Sequence, residues 1–209
     1  TDKSMKALDL DTVLTLQPSG TQVVDVRSAN QFAGAHLNGS INIGIKGRFA
    51  TWAGTVLNND VSIIIIAEAD RNEEAITRLG RIGFHNVKGY LKGGMESLKN
   101  RPDLISQTQR ISATTIGSLQ GKTTIIDIRT KNEWEAGHIE KSINIPLNHL
   151  NENIKELIES DNLIVYCQGG YRSIIAASLL EREGRFNVFD LAGGFQAWVA
   201  SKRPVITSG

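Results

Sequence analysis

The sequence predicts an α/β protein of two similar tandem domains, each with a mostly parallel sheet flanked by helices. Short apolar runs of strand length alternate with helical segments along the chain, which is the pattern of a parallel sheet covered by helices. The runs at 63–66 and 163–166 contain no alternating polar residues, as expected for strands that are buried on both faces. Because this order of segments occurs twice, the chain is predicted to hold two copies of one unit.

Short motifs carry the repeat. Val24-Asp25-Val26-Arg27 returns as Ile126-Asp127-Ile128-Arg129, Ser40-Ile41-Asn42-Ile43 returns as Ser142-Ile143-Asn144-Ile145, and His36 returns as His138. The repeat predicts one domain over residues 1–100 and another over 111–209. Each has a normal domain size of about 100 residues. The polar stretch 101–110, which contains a proline, is the predicted linker.

Each domain is predicted to follow the same order of elements. A helix comes first, at 6–16 and 112–119, and a strand follows at the apolar run that contains the aspartate. A short helix is next, at 29–33 and 131–136, and the Ile-Asn-Ile sequence forms a brief strand. After a helix or loop come the apolar strand, at 63–66 and 163–166, and an amphipathic helix.

Composition and charge narrow the function classes. The chain has 209 residues, of which 40% are hydrophobic and 22% charged, an ordinary globular composition. A formal net charge of +1 gives no electrostatic case for nucleic acid or an anionic membrane as a partner. The apolar runs are also too short to span a bilayer.

A single cysteine cannot form an internal disulfide, so the chain fits a reducing compartment and is expected in the cytoplasm. The histidines stand apart in the sequence, and we therefore expect neither a bound metal nor a cofactor. These histidines are His36, His85, His138 and His149. The opening Thr1-Asp2-Lys3-Ser4 looks like interior sequence, and we expect the chain to be a fragment of a longer polypeptide.

The most informative stretch is 163–173, in which a short apolar run ends in the only cysteine, Cys167. Gly169 and Gly170 allow backbone conformations that are closed to other residues, and Ser173 suits the start of a helix. The stretch therefore predicts a strand, a tight loop and a helix, with a thiol at the end of the strand. Loop N–H groups and the helix N-terminus would converge on the sulfur and favour the thiolate.

A lone cysteine in a protein is more often a small buried apolar residue without chemistry. The flanking residues change this interpretation, because a filler residue does not need two glycines, an arginine and a helix start beside it. An activated nucleophile does. We therefore predict that Cys167 is catalytic.

The corresponding stretch of the first domain serves as an internal comparison. Ala67 aligns with Cys167 and Arg71 with Arg172, in a loop that is one residue shorter and has no glycine. Glu68 and Asp70 would repel an anionic substrate or a thiolate. The first domain is therefore predicted to be catalytically inactive, either as a scaffold or as one wall of the active cleft. The candidate wall residues are Arg48, Phe49 and Trp52.

The combined motifs resemble those of the rhodanese family of sulfurtransferases over almost the whole chain, once per half. They are Asp-Ile-Arg, Glu-x-x-x-Gly-His-Ile-x-x-Ser-Ile-Asn-Ile-Pro, Val-Tyr-Cys-x-x-Gly-x-Arg-Ser and Leu-x-Gly-Gly-x-x-x-Trp. Four residues separate Cys167 from Arg172, as in rhodaneses, whereas related cysteine-dependent phosphatases have five. Residues 48–54 are similar to rhodanese modules that follow a metallo-β-lactamase-like domain in persulfide-processing fusion proteins. That similarity implies such a domain upstream.

The resemblance implies a double displacement at Cys167. The thiolate takes the outer sulfur of an anionic donor, thiosulfate or a low-molecular-weight persulfide, and passes it to a thiol or cyanide. The neutral loop leaves a glutathione-type persulfide open as the donor. The predicted substrate-binding residues are Gln168, Gly169, Gly170, Tyr171, Arg172 and Ser173.

Individual residues receive different roles in this scheme. Gln168 and Tyr171 are expected to point outward and shape specificity, and Arg172 either holds the anionic group of the donor or braces the loop. The survival of Arg71 in the inactive half favours bracing. Residues that recur in the first domain or form a turn and a packed helix are interpreted as structural. They are Asp127, Arg129, His138, Gly193, Gly194 and Trp198.

A function of another class remains open. The chain can be a sulfur-carrier or interaction module that serves a catalytic domain elsewhere in the protein, with Cys167 only passing sulfur along. Turnover distinguishes this alternative from an enzyme.

Overall fold

The computed structural model describes residues 6–207 and consists of two compact units, with the boundary between Gln107 and Thr108. The boundary falls within the predicted linker. Most residues of that linker belong to short elements of the two units, a 3-10 helix at Pro102–Leu104 and the strands on either side of the boundary. No helix among residues 6–207 is long and apolar enough to cross a membrane.

Unit 1 alternates short strands and helices, in the order that the sequence predicts for most of its length. Its elements are β1 (Ala7–Leu8), α1 (Leu10–Leu16), β2 (Gln22–Asp25), α2 (Ala29–Gly34), β3 (His36–Leu37), β4 (Ile41–Asn42), α3 (Phe49–Val56), β5 (Ile63–Ile66), α4 (Asn72–Arg81), β6 (Val87–Leu91) and β7 (Ile105–Ser106). A 3-10 helix at Gly94–Leu98 follows β6.

Unit 2 repeats this order. Its elements are β8 (Gln109–Ile111), β9 (Thr123–Asp127), α5 (Lys131–Ala136), β10 (His138–Ile139), β11 (Ile143–Asn144), α6 (Leu150–Asn153), β12 (Asn162–Tyr166), α7 (Tyr171–Arg182), β13 (Val188–Leu191), α8 (Gly194–Ala200) and β14 (Val205–Ile206). Short 3-10 helices flank α6, at Leu147–His149 and Ile154–Glu159.

Each unit contains a five-stranded parallel sheet, and the two sheets have the same strand order. The order is β1-β6-β5-β2-β4 in unit 1 and β8-β13-β12-β9-β11 in unit 2. The central strands β5 and β12 are buried along their whole length, because helices cover both faces of the sheet. The predicted α/β fold with two tandem units is confirmed.

The predicted first helix is present over Leu10–Leu16 in unit 1, but its predicted start was wrong, and in unit 2 no α-helix forms at 112–119. In unit 1 the stretch begins as the edge strand β1, and the helix starts only at Leu10 after the cap residue Asp9. In unit 2 residues 112–119 contain turns and a 3-10 helix at Ile116–Ser118, and the strand β8 precedes them. Strands of two or three residues leave no periodic signal in a sequence, since their pairing partner determines them.

A two-stranded antiparallel pair closes each unit. In unit 1, β7 pairs with β3, and in unit 2, β14 pairs with β10. The last strand of each unit therefore returns to the segment that follows α2 in unit 1 and α5 in unit 2. None of these strands was predicted.

The carboxyl ends of β9 and β12 form the edge at which the predicted nucleophile lies. Tyr166, the last residue of β12, pairs with Asp127, the last residue of β9. The amide of Ile128 donates to the carbonyl of Tyr166 at 3.1 Å. Cys167 is therefore the first residue beyond the sheet, beside the Asp127–Arg129 segment.

Helix α8 packs end-on against this edge because of Gly194. The amides of Phe195 and Gln196 donate to the carbonyls of Cys167 and Gln168 at 2.8 and 3.1 Å. A Cβ atom on Gly194 would lie 2.4 Å from the Cys167 carbonyl oxygen, and the residue has a φ of +60°. Only glycine permits both the close approach and this backbone conformation without strain.

We predict that Gly194→Ala destabilises unit 2 by about 2–4 kcal/mol, because backbone must move apart and the alanine adopts a left-handed φ. Gly184→Ala is the matched control, since Gly184 has a φ of +82° but open space around its Cβ position. The control variant therefore measures only the cost of placing alanine in a left-handed conformation, and we expect it to lower the free energy of unfolding by about 1 kcal/mol.

The measurement is denaturant unfolding followed by tryptophan fluorescence in a Trp52→Phe background. This background leaves Trp134 and Trp198, both in unit 2, as reporters. Equal losses in the two alanine variants would contradict the close-approach argument.

Candidate active site

The loop after β12 brings the backbone N–H group of Gly170 to the Cys167 sulfur. Cys167 is only 2% exposed, and Gly170 donates its amide to Sγ at 3.1 Å. Gly170 caps α7 with a φ of +106°, a left-handed conformation that glycine adopts without strain. The predicted arrangement of strand, tight loop and helix with a thiol at the strand end is therefore present.

The two loop glycines do not have the same role. Gly170 needs its left-handed conformation, whereas Gly169 is not among the residues with positive φ. A Cβ atom on Gly169 would meet Gln196 Oε1 at 3.6 Å, an ordinary contact distance. The loop conformation thus depends on one glycine, not on both.

Ser173 is the third residue of α7, in its first turn but not at its cap, and its hydroxyl bridges two buried groups. The Cys167 thiol donates to Ser173 Oγ at 3.5 Å, and Ser173 Oγ donates to Asp190 Oδ1 at 2.5 Å. The other carboxylate oxygen, Oδ2, accepts from Arg110 Nε at 3.1 Å. Burial raises the pKa of Asp190 from its ordinary value of 3.8 to about 6, although the Ser173 hydrogen bond and Arg110 act in the opposite direction.

Arg172 forms a bidentate ion pair with Glu133 of α5. Its two terminal nitrogens lie 2.8 and 2.7 Å from the two carboxylate oxygens. Glu133 also accepts from the amide and hydroxyl of Thr130 and so completes the capping box of α5. The Arg172 hydrogen bonds, with those from Thr130, lower the pKa of Glu133 from 4.5 to about 2.

The sequence predicts that Gln168 points outward, but its side chain is directed towards the protein. Its Oε1 accepts from Arg129 Nη1 at 3.2 Å. Arg129 also binds Asp127 through two nitrogens and donates to the carbonyl of Gly137 at 2.7 Å. Tyr171 is half-buried at the start of α7.

The residues that the sequence assigned to structure have structural contacts. The Nδ1 atom of His138 lies 2.8 Å from the Trp134 carbonyl, and its ring stacks on that tryptophan at a centroid distance of 3.7 Å. His36 repeats both contacts with Phe32. Trp198 is 6% exposed and packs in the core of unit 2.

The corresponding loop of unit 1 has a different set of contacts. Glu68 accepts from Gln31 of α2 at 2.9 Å, and Arg71 pairs with Glu74 of its own helix at 2.6 Å. Arg71 therefore pairs within its own helix, whereas Arg172 pairs with a glutamate of another helix. The presence of Arg71 in unit 1 is thus no longer an argument that Arg172 braces the loop. Phe49, a candidate cleft residue, is fully buried within unit 1 under the guanidinium of Arg78.

A cavity of about 420 Å³ occupies the place in unit 1 that corresponds to the cysteine loop. Arg27, Ala67, Glu68, Asn72, Tyr90 and Lys92 contribute to its lining. No nucleophilic thiol is among these residues, so the size of this cavity does not make it a site of sulfur chemistry.

Two residues of the site were missed at the sequence level, Glu133 and Asp190. Glu133 had a detectable signal, because Thr130-x-x-Glu133 is a capping-box pattern. Asp190 had a weaker signal, as the one acidic residue in the strand Val188–Leu191. Neither pattern indicates which distant loop the side chain reaches.

Comparison with known proteins assigns both halves to the same family. The family model described as "Rhodanese-like domain" matches residues 9–101 and again residues 113–201. An uncharacterized Bacillus subtilis protein, YqhL, is 39% identical over 77 residues, which cover 37% of this chain and 61% of that protein. Because the match spans less than two thirds of YqhL, it carries no whole-protein activity across.

Two further relatives have sulfur-transfer names. A sulfurtransferase of Allochromatium vinosum is 29% identical over 82 residues, covering 39% of this chain and 77% of the relative. Thiosulfate sulfurtransferase 16, chloroplastic, of Arabidopsis thaliana is 34% identical over 91 residues, which cover 38% of this chain and 76% of that relative.

We predict that Glu133→Gln makes unit 2 less stable at neutral pH but leaves the capping box of α5 intact. Gln31 is the internal precedent, because it completes the same box in unit 1. A carboxyl group with a lowered pKa stabilises the folded state above pH 4.5, and this contribution disappears as the pH falls to about 2. We expect less than about 1 kcal/mol, because a third of the Glu133 side chain is exposed.

The measurement is the unfolding free energy of both proteins as a function of pH. Wild type should lose its advantage over the variant between about pH 4.5 and pH 2. A difference that stays constant across that window would show that the ion pair does not contribute.

Proposed function

The chain belongs to the rhodanese family, with two rhodanese-like domains in tandem, and from this premise we propose that unit 2 is a sulfurtransferase that carries sulfane sulfur on Cys167. The observation that carries the proposal is the Gly170 amide 3.1 Å from the sulfur. A fixed N–H dipole at this distance stabilises negative charge on the thiolate and on the persulfide that replaces it. Ala67 at the corresponding position leaves unit 1 without a nucleophile.

The reaction proceeds by two displacements. The Cys167 thiolate attacks the outer sulfur of thiosulfate or a low-molecular-weight persulfide, the donor leaves with its bonding electrons, and a Cys167 persulfide results. A thiol or cyanide then takes the outer sulfur and returns the thiolate. Because Cys167 is only 2% exposed, the donor must present a terminal sulfur that protrudes from the rest of the molecule.

The charges around the loop favour a persulfide over thiosulfate as the donor. Glu133 neutralises the guanidinium of Arg172, and Gln168 is uncharged. A dianion such as thiosulfate therefore gains little from this loop. The Allochromatium and Arabidopsis relatives support sulfur transfer as the general reaction.

The alternative of a sulfur carrier without turnover has no specific support from the contacts. The upstream metallo-β-lactamase-like domain implied by residues 48–54, and the cytoplasmic location, stay predictions.

We predict that wild-type protein gains the mass of one sulfur atom after exposure to glutathione persulfide, and that Cys167→Ser does not. Intact mass spectrometry makes the measurement. Addition of cyanide should then remove the sulfur and release thiocyanate in repeated cycles, at a rate on the order of 10³-fold or more above that of the variant. Loading without repeated cycles would support the carrier, and equal gain by the variant would refute the role of Cys167.

We further predict that Arg172→Lys lowers kcat about tenfold with thiosulfate and with glutathione persulfide alike. Lysine cannot form the bidentate pair with Glu133, so the loop loses its brace whichever donor is bound. Steady-state kinetics with both donors provide the measurement. A rise in KM confined to thiosulfate would instead assign Arg172 to the anionic group of the donor.

A further inference from the structure

A line of polar groups leads from the Cys167 sulfur into the interior of unit 2. The sulfur lies 3.5 Å from Ser173 Oγ, and this oxygen lies 2.5 Å from Asp190 Oδ1. Cys167, Ser173 and Asp190 are 2%, 0% and 0% exposed. A proton that leaves the sulfur along this line therefore passes through the Ser173 hydroxyl.

The number of protons on these groups determines their hydrogen-bond directions. A serine hydroxyl has one proton to donate, and an ionised carboxylate only accepts. While Asp190 is ionised, Ser173 donates to it, and the Cys167 thiol is the donor to Ser173. Once Asp190 is protonated, it donates to Ser173, and the hydroxyl proton turns towards the sulfur.

We propose that Asp190 is a positioning residue for the sulfur-transfer reaction. The Asp190 carboxylate takes up the thiol proton of Cys167 through Ser173 and thereby turns the Ser173 hydroxyl towards the thiolate. In this step the S–H bond breaks and its proton forms the new O–H bond of Ser173. The former hydroxyl proton of Ser173 moves to Asp190 Oδ1. One negative charge passes from the carboxylate to the sulfur, and the net charge is unchanged.

The surroundings of Asp190 suit a proton acceptor of this kind. Burial raises its pKa to about 6, so it binds a proton more readily than an ordinary carboxylate. The charged and titratable groups facing it are Arg110 from β8 and, beyond Ser173, Cys167 at the end of β12. Its partner residue on β12 is the apolar Val165.

Unit 1 provides a comparison that follows from the repeat. Tyr90 pairs with Ile65 of β5 as Asp190 pairs with Val165 of β12. Asn72 aligns with Ser173 in the shorter loop. The unit without the cysteine therefore has an asparagine in place of the serine and a tyrosine in place of the carboxylate.

The test is the rate at which iodoacetamide alkylates Cys167, measured by intact mass from about pH 5 to about pH 10. Alkylation measures the thiolate and needs no sulfur donor, so it can succeed or fail independently of the proposed sulfur transfer. The inference rests on the proposed function only in taking the Cys167 sulfur as the reacting atom. Wild type should show two steps, because the ionisation of Asp190, with its pKa of about 6, creates an acceptor for the thiol proton and so adds a lower step. Asp190→Asn should show one.

Two further variants keep the proposal falsifiable if Asp190→Asn fails to fold. Arg110→Gln removes a cation that lowers the Asp190 pKa, so the lower step should persist and move to higher pH. Ser173→Ala should abolish the lower step. Asp190→Asn should also change the alkylation rate at neutral pH by a factor at least about threefold smaller in the Ser173→Ala protein than in wild type.

A single step in wild type with the midpoint of Asp190→Asn would overturn the proposal. So would equal effects of Asp190→Asn with and without Ser173, since a merely structural aspartate would act independently of the hydroxyl.

Discussion

The buried Asp127–Arg129 pair is the interaction on which the position of the cysteine loop depends. One guanidinium binds the carboxylate at the end of β9, the carbonyl of Gly137 and the side chain of Gln168. It also lies 4.1 Å from the ring centroid of Phe195 on α8. Removal of one partner of such a buried pair destabilises a folded protein by about 3–5 kcal/mol. The same ion pair therefore fixes the positions of β9, the cysteine loop and α8 relative to one another.

Unit 1 retains this constraint although it has Ala67 at the position of the cysteine. Arg27 binds Asp25 and the carbonyl of Ala35 with nearly the same distances as its counterpart in unit 2. The pair is therefore a requirement of the fold. What separates the two units lies around the loop itself, in the nucleophile, the left-handed Gly170 and the bridge from Arg172 to Glu133.

Much of the fold was predictable because long buried strands and capped helices have local signals. The runs at 63–66 and 163–166 and the helices that begin after Ser28 and Thr130 are of this kind. The edge strands β4 and β11 were predicted from their Ile-Asn-Ile sequence, whereas the edge strands β1 and β8 and the closing strands β7 and β14 were not. In the site, Cys167 and Gly170 belong to one local motif, whereas Glu133 and Asp190 reach it from 39 residues before Arg172 and 17 residues after Ser173.

The closing strands β7 and β14 have a consequence for how such a chain arises. Each unit fastens its own last strand to a segment near its own beginning, and borrows no strand for this purpose. Duplication of the coding segment therefore delivers a second module that is already complete. A residue change in the loop after β5 or β12 therefore leaves the strand pair that closes the same unit in place.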